Sequence, residues 1–235
     1  MIDEDLANFV IKYLTNKGAS YAEARLQDIS SNGFILKNGI PQLSGFDEST
    51  GIGVRFLSNN ILSFVSSDSL ERSRIKSLLS NALKSAKNSV KIGEKVELSE
   101  EQTVEKRYKV EQKVKLDDIS PEEKLKALLD ADKAILNTKA NTIGRFLSLS
   151  DSQVTEYFAN SEGSRIMATI PRMAFVYFLT VQENNKSIQR FWQYGATKGY
   201  ELIKEWNMPD LLTGEVKAMQ ANLKNGVKAP QKKLD

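Results

Sequence analysis

The chain has 235 residues, of which 40% are hydrophobic and 27% charged, a composition typical of a globular protein that can build a sizeable core. Its 33 basic and 30 acidic side chains give a net charge of only +3, too balanced for a protein that binds nucleic-acid phosphates. Histidine and cysteine are both absent, which excludes disulfides, a Ser-His-Asp triad and a cysteine–histidine zinc site in this sequence.

The N-terminal part of the sequence predicts a helix followed by antiparallel strands. Apolar residues recur with the helical period over residues 3–17, where Asp3 can cap the start and Gly18 can end the helix. The dipeptides Asn38-Gly39 and Asn59-Asn60 predict tight hairpin turns. The strands themselves are predicted at residues 21–31, 33–37, 40–47, 51–57 and 61–66.

A second helix is predicted over residues 69–90, where apolar residues form one continuous face. Asp68 and Glu71 resemble a capping box at its start. The highly charged segment 94–118 alternates weakly between polar and apolar residues. It is predicted to be a connector that includes an exposed edge strand.

A third helix has the clearest start signal in the chain. Ser120 can cap it, Pro121 takes the first helical position and Glu123 completes a capping box. Further strands are predicted at residues 142–152, 153–160, 165–170, 173–182 and 187–194. A last helix is predicted over residues 209–224, and residues 229–235 are interpreted as a linker.

The order of these elements predicts the fold class. A helix, a meander of strands and a second helix occur twice in succession, which indicates two related halves over residues 1–93 and 119–226, within one domain of residues 1–228. Strands joined by hairpin turns favour antiparallel pairing. We therefore expect an α+β fold in which each half is an antiparallel β-meander flanked by helices.

The ends of the sequence bear on where the protein acts. The first residues are acidic, whereas a secretory signal begins with positive charge and continues into an apolar run. The longest apolar stretch, residues 173–181, is far shorter than the about 20 residues that a membrane helix needs. We expect a cytoplasmic protein that does not contact a membrane.

Few residues in the sequence are candidates for chemistry. The glycines of Gly51-Ile52-Gly53 are better explained as the start of a strand than as a phosphate loop, because no third glycine and no helix follow. Asp132 interrupts the apolar stripe of the third helix, which favours a buried ion pair or a helix-edge position over a catalytic role. No residue is assigned as catalytic, cofactor-binding or metal-binding.

Two apolar clusters suggest surfaces for binding. The aromatic residues between 175 and 194 predict core packing on one sheet face, with an aromatic ligand groove on the other face as an alternative. Exposed apolar patches commonly mark interfaces. The residues predicted to form such an exposed interface patch near the start of the last helix are Trp206, Met208, Leu211 and Leu212.

Several short motifs occur in an order that resembles a known family. They are Tyr21-Ala22-Glu23-Ala24-Arg25, Asn38-Gly39, residues 51–56, Asn160-Ser161-Glu162-Gly163, Pro171-Arg172 and Gly199-Tyr200-Glu201. In this order they resemble the N-terminal domain of the TldD/PmbA proteins, over almost the whole chain. The resemblance implies a cytosolic metallopeptidase, from a family also described as modulators of DNA gyrase.

The resemblance also implies where catalysis takes place. Active family members carry a zinc-binding His-Glu-x-x-x-His motif in a C-terminal domain, and one subunit of a pair can lack it. This sequence ends about where that domain would begin and contains no histidine. No catalytic residue of the family can be placed on it, so this chain alone is expected to be inactive, and zinc is expected only in the absent domain.

The sequence thus predicts the non-catalytic N-terminal part of a zinc metallopeptidase, which shapes the subunit interface and the access of peptide substrates. Its expected partners are a second copy or a paralogous subunit, and peptides that can add to an exposed sheet edge. An alternative is a free-standing peptide-binding or adaptor module without peptidase activity. A hydrolase that uses carboxylates is a third interpretation.

Overall fold

The computed structural model of the chain describes residues 2–90 and 93–227, so the linker predicted for residues 229–235 lies outside the described residues. The helices are α1 (Glu4–Asn16), α2 (Arg72–Ser89), α3 (Pro121–Asn137), α4 (Leu202–Trp206) and α5 (Met208–Asn225). The strands are β1 (Tyr21–Lys37), β2 (Ile40–Ser58), β3 (Ile61–Ser67), β4 (Glu105–Lys109), β5 (Thr142–Asn160), β6 (Arg165–Glu183) and β7 (Lys186–Ala196). Within the described ranges, no helix is long and apolar enough to cross a membrane.

The strands form one sheet, and the predicted α+β class is confirmed. Their order is β3-β2-β1-β5-β6-β4, and β7 also pairs with β6. The β2–β3 and β6–β7 pairs are antiparallel hairpins, whereas β4 runs parallel to β6. A parallel pair needs a long crossover connection, and here α3 and β5 lie between the two strands in sequence. The predicted edge strand in the charged connector is therefore present as β4, whose residues are all exposed.

Long continuous strands replace the shorter ones that the sequence predicts. The strands β1, β2, β5 and β6 are each 17–19 residues long, so the predicted breaks within them are wrong. Pro171 illustrates the reason, because β6 pairs with β4 up to Thr169 and with β7 from Met173 onward. Pro171 thus lies between the two ladders, where its missing N–H leaves no ladder hydrogen bond unmade.

The chain divides into two compact units, each built from three segments. Unit 1 comprises Met1–Ser30, Asp47–Val110 and Gln153–Ile170, and unit 2 comprises Ser31–Phe46, Glu111–Ser152 and Pro171–Asp235. Each unit therefore takes residues from both of the predicted halves, since the long strands contribute to both units. The internal repeat that relates residues 1–93 to residues 119–226 stays a prediction.

In unit 1, α1 and α2 supply the helical part of the core. The side chain of Asp3 accepts a hydrogen bond from the backbone N–H of Leu6 at 3.0 Å, so the predicted cap of α1 is confirmed. The capping box predicted for α2 is wrong, because the helix begins later, after Glu71, and Asp68 lies 3.6 Å from Arg74 instead. The fully buried residues at the centre of this core are Leu6, Val10, Leu14, Ala22, Ala24, Phe56 and Leu79.

In unit 2, α3 and α5 pack together over the core. Ser120 and Glu123 form the predicted capping box at the start of α3. The short helix α4 was not predicted, and it is separated from α5 by Asn207, which adopts a left-handed conformation with φ 42°. The fully buried residues of this core include Leu128, Ile135, Leu147, Leu149, Phe175, Leu179 and Val216.

Asparagine turns connect the hairpins as predicted. Both residues of Asn38-Gly39 have positive φ, at 51° and 79°, as a type I′ turn requires. The backbone N–H of Asn38 donates to the carbonyl of Arg145 at 2.7 Å, and the N–H of Arg145 donates to Asn38 Oδ1 at 2.8 Å. Gly39 lies against α3, because a Cβ atom placed there would be 2.9 Å from Asp132 Oδ2. This turn is therefore fixed against its neighbours in unit 2.

Replacing Gly39 by alanine is expected to lower the free energy of unfolding by about 1–2 kcal/mol, since a left-handed conformation costs an L-residue about that much. Gly33→Ala is the matched control, because Gly33 lies in the neighbouring strand β1 with open space around its Cβ position. Urea unfolding of both variants measures the difference. Equal stability of the two variants would show that the turn conformation contributes nothing.

Candidate functional site

The predicted interface residues lie at the junction of α4 and α5, and two of them are core residues. Met208 is 1% exposed and Leu212 is fully buried, so the expectation that they form an exposed patch is wrong. Both face the interior of unit 2 because they follow the buried stripe of α5. Trp206 and Leu211 are half-buried against the same core. A role for this segment in subunit contacts stays a prediction.

The aromatic residues of β6 and β7 divide between the two faces of the sheet. Phe175 and Tyr177 are buried on the face that the helices cover, which confirms the predicted core packing. The ring of Trp206 stacks on Phe175 at 6.5 Å, and Tyr194 lies 6.3 Å from Trp206. Burial raises the pKa of Tyr177 above its usual value, and the nearby carboxylate of Glu215 raises it further. This cluster fixes the junction of α4 and α5 to the sheet.

Other aromatic side chains on these strands are exposed. Phe178 and Phe191 are paired across β6 and β7 and share the opposite face, with 37% and 55% of their surface exposed. Trp192 is 54% exposed but is paired with Tyr177, so it belongs to the helix-covered face. The exposed rings therefore lie on both sides of β7. An aromatic ligand groove on the opposite face stays a prediction.

A cleft of about 570 Å³ opens in unit 2. The Asp151 carboxylate lies in its wall, and Lys124 Nζ is 3.0 Å from both carboxylate oxygens. Asn32 Nδ2 also donates to Asp151 Oδ1 at 3.0 Å. Because Lys124 and Asp151 are each only 3% exposed, this is a buried ion pair. Other residues that line the cleft include Ser150, Ser152, Arg172, Gly195 and Thr197.

The chemistry of this cleft is that of a binding pocket. The charge of Asp151 is balanced by Lys124, and Asn32 donates a hydrogen bond to the same carboxylate. The rest of its lining combines serine and threonine residues and Arg172 with the apolar residues Met173, Ala174 and Ala196. The hydroxyl and guanidinium groups can donate hydrogen bonds to a carbonyl or carboxylate. The cleft therefore offers a largely apolar surface with a few hydrogen-bonding groups, which suits a segment such as a peptide that carries both kinds of group.

A second buried ion pair confirms the interpretation of Asp132. Arg145 Nε lies 2.7 Å from Asp132 Oδ1, and the two side chains are 11% and 6% exposed. Arg145 Nη1 also donates to the carbonyl of Thr142 at 3.3 Å. Asp132 therefore joins α3 to β5, as the interruption of its apolar stripe suggested. Lys124 lies on the same stripe of α3, four residues before Leu128. This spacing is the sequence signal that could have revealed the pair of Lys124 and Asp151.

Unit 1 contains a broader groove of about 930 Å³ that includes charged residues of β1 and β2. The Tyr21 hydroxyl donates to Glu23 at 2.6 Å, and Arg55 Nε lies 2.9 Å from the same carboxylate. Burial and this hydrogen bond raise the pKa of Tyr21 to about 12. Gly53 lies within β2 beside the ring of Phe64, so it belongs to a strand as predicted, but to the interior of the strand and not to its start. The charges of this groove are largely paired with one another.

The zinc site that the family resemblance implies is not matched by residues of this chain. Zinc in proteins is most often bound by histidine or cysteine, and the sequence contains neither. Over residues 2–90 and 93–227, no group of three or more acidic side chains is arranged to hold a metal ion. The buried acidic side chains of the described residues, Asp132 and Asp151, are each paired with a cation.

The sequence matches two consecutive family profiles. Residues 22–86 match the profile described as PmbA/TldA metallopeptidase domain 1, and residues 114–219 match the PmbA/TldA metallopeptidase central domain. A metalloprotease of Methanocaldococcus jannaschii is 33% identical over 192 residues, which are 79% of this chain and 41% of that protein. The chain thus spans about two fifths of the length of this curated relative.

Solved structures share the fold at low sequence identity. A protein described as a modulator of DNA gyrase from Bacteroides thetaiotaomicron superposes with a TM-score of 0.73 at 14% identity, over 92% of this chain and 50% of that chain. TldE from Thermococcus kodakarensis gives a TM-score of 0.67 at 15% identity, over 91% and 47% of the two chains. These structures define the class, an α+β fold of the TldD/PmbA kind.

The sequence matches identify the family itself. Together the two profiles cover most of the chain, and the curated relative is similar over 79% of it. The chain belongs to the PmbA/TldD metallopeptidase family, and the resemblance drawn from its short motifs is confirmed.

Proposed function

We propose that this chain is the non-catalytic part of a PmbA/TldD metallopeptidase, in which it forms a subunit interface and controls the access of peptide substrates. The observation that carries the proposal is the pair of matches to domain 1 and the central domain in a sequence without histidine or cysteine. The zinc ion and its ligands would then belong to another domain. A cytoplasmic location and a second copy or paralogous subunit as partner are part of the same proposal.

The structure supports a binding role in two ways. The sheet ends in the long exposed strand β7, to which an extended chain can add through backbone hydrogen bonds without recognising a particular sequence. The cleft beside Asp151 offers hydroxyl and guanidinium donors to the carbonyl groups of such a chain. Both features belong to unit 2, and neither needs a metal ion.

The purified chain is expected to hold no stoichiometric zinc and to leave labelled casein uncleaved. Its available ligands are carboxylates, which suit calcium or magnesium better than zinc, and a water nucleophile at neutral pH needs an activating metal or base. Elemental analysis after desalting and a fluorescence cleavage assay measure the two properties. A fusion of this chain to the part of the Methanocaldococcus relative beyond their match should cleave casein, and a chelator should stop it.

The same experiment tests the alternatives. Chelator-insensitive cleavage by the chain alone, retained on repurification, would contradict the proposal and favour the hydrolase that uses carboxylates. The exposed edge of β7 favours the peptide-binding or adaptor module as a second candidate. That candidate predicts that the chain binds casein peptides, whereas the fusion gains no activity.

A further inference from the structure

Unit 1 also contains a smaller pocket of about 440 Å³, beside the first turns of α1 and the edge strand β4. A pocket of this size can hold a small molecule or the end of a peptide. Its mostly polar lining comes from α1, β4, β5 and β6, and none of these residues lines the broader groove of unit 1. The pocket is therefore a separate feature of the unit.

The hydroxyl of Tyr157 is the feature of this pocket that calls for a ligand. Tyr157 belongs to β5, only 3% of its surface is exposed, and its ring packs in the core of unit 1. Since the residue also lines the pocket, the hydroxyl at the end of the ring is the part that reaches it. Among the described residues, none forms a hydrogen bond with this hydroxyl. A buried donor without an acceptor is costly, and a ligand in the pocket can supply the acceptor.

Charged groups of both signs surround the Tyr157 hydroxyl. Burial raises its pKa above the usual value, and the carboxylates of Glu4 and Glu105 raise it further. The guanidinium groups of Arg165 and Arg107 act in the opposite direction. The phenol therefore stays protonated at neutral pH, and in this form it donates a hydrogen bond.

The two guanidinium groups differ in the partners that they already have. Arg107 Nη2 lies 2.6 Å from Glu4 Oε2, so Arg107 is paired. Arg165 Nη1 donates to the carbonyl groups of Asn160 and Ser164, at 2.8 and 2.7 Å, and no carboxylate of the described residues forms an ion pair with it. The remaining N–H groups of Arg165 can form charge-assisted hydrogen bonds with an anion.

We propose that this pocket binds a carboxylate group, held by the Tyr157 hydroxyl and the remaining N–H groups of Arg165. Lys106 adds a positive charge to the lining, and Asn8 adds an amide donor. The lining carries three cations and two carboxylates, so a ligand with a single negative charge balances it. A phosphate dianion would exceed that balance and be repelled by the two carboxylates. A small organic acid and the C-terminus of a peptide both present a single carboxylate.

The methionine methyl groups allow binding to be measured at each place separately. Met167 lines this pocket, whereas Met173 lines the cleft of unit 2. The chain labelled with 13C at its methionine methyl groups can be titrated with acetate, with N-acetyl-trialanine and with the C-terminal amide of that peptide. The Met167 NMR signal should respond to both acids and not to the amide. If the peptide acid binds at least about 10-fold more tightly than acetate, the ligand is a peptide C-terminus, and otherwise it is a small acid.

Two substitutions test the roles of the lining residues. Tyr157→Phe should raise the dissociation constant reported by the Met167 signal by about 10-fold, because it removes one hydrogen bond to a charged group. Tyr108→Phe is the matched control, since Tyr108 is exposed on β4 and does not line the pocket. Glu105→Gln should lower the dissociation constant by about threefold, because it removes a carboxylate that repels the ligand. Circular dichroism checks that each variant is folded.

Three outcomes would overturn the inference. They are a Met167 signal that neither acid moves, a response to inorganic phosphate but not to the acids, and an affinity that Tyr157→Phe leaves unchanged. The Met173 signal reports peptide binding in the cleft of unit 2, and no measurement here involves cleavage. Failure of this inference therefore leaves the proposed peptidase role in place, and failure of that role leaves the carboxylate site in place.

Discussion

Replacing Lys124 by methionine is expected to lower the free energy of unfolding by about 3–5 kcal/mol, because the substitution leaves the Asp151 carboxylate buried without its cation. Lys124 Nζ lies 3.0 Å from both oxygens of Asp151, and both side chains are almost fully buried. Asn32 would remain as a hydrogen-bond donor, but it carries no charge. Urea unfolding followed by circular dichroism measures the loss.

Two further variants separate the ion pair from general effects of the substitution. Lys126→Met makes the same change at an exposed position of α3 and should alter stability by less than about 0.5 kcal/mol. The double variant Lys124→Met with Asp151→Asn removes the uncompensated charge and should recover at least half of the loss. If Lys124→Met is as stable as Lys126→Met, the pair does not stabilise unit 2.

The helices could be predicted because their signals are local. The capping residues Asp3 and Ser120 act within one helical turn, and they determine where α1 and α3 begin. The start of α2 was misplaced because Asp68 contacts Arg74 rather than the helix backbone. The asparagine turns were predicted for the same reason, since each turn depends only on the residues within it.

The lengths and partners of the strands could not be predicted. Pro171 predicts a break when it is considered by itself, but β6 changes its pairing partner at this residue and continues. The parallel pairing of β4 depends on residues more than fifty positions away in the sequence. The buried ion pairs could not be predicted for the same reason. The position of Asp132 within the apolar stripe of a helix indicates that its carboxylate needs a cation, but it does not indicate that Arg145 provides it.

The prediction that the interface residues form an exposed patch was wrong for a related reason. An apolar cluster near the end of a chain looks the same whether it covers the core of its own unit or binds another subunit. Trp206 and Met208 flank a left-handed residue, Asn207, that turns the chain and directs Met208 into the core. Sequence alone therefore predicted that this segment packs against something, but not what it packs against.

Replacing Leu212 by alanine is expected to lower the free energy of unfolding by about 2–5 kcal/mol, since its side chain is fully buried and its removal leaves a cavity. The neighbouring Leu211 is only half-buried, so Leu211→Ala is the matched control and should cost about 1 kcal/mol. The pair distinguishes a core role from an interface role. Substitution of a core residue lowers the urea concentration at the unfolding midpoint, whereas substitution of an interface residue changes the protein concentration at which the chain associates. If Leu212→Ala weakens association at unchanged stability, the predicted interface at this segment is correct and the burial of Leu212 does not stabilise the fold.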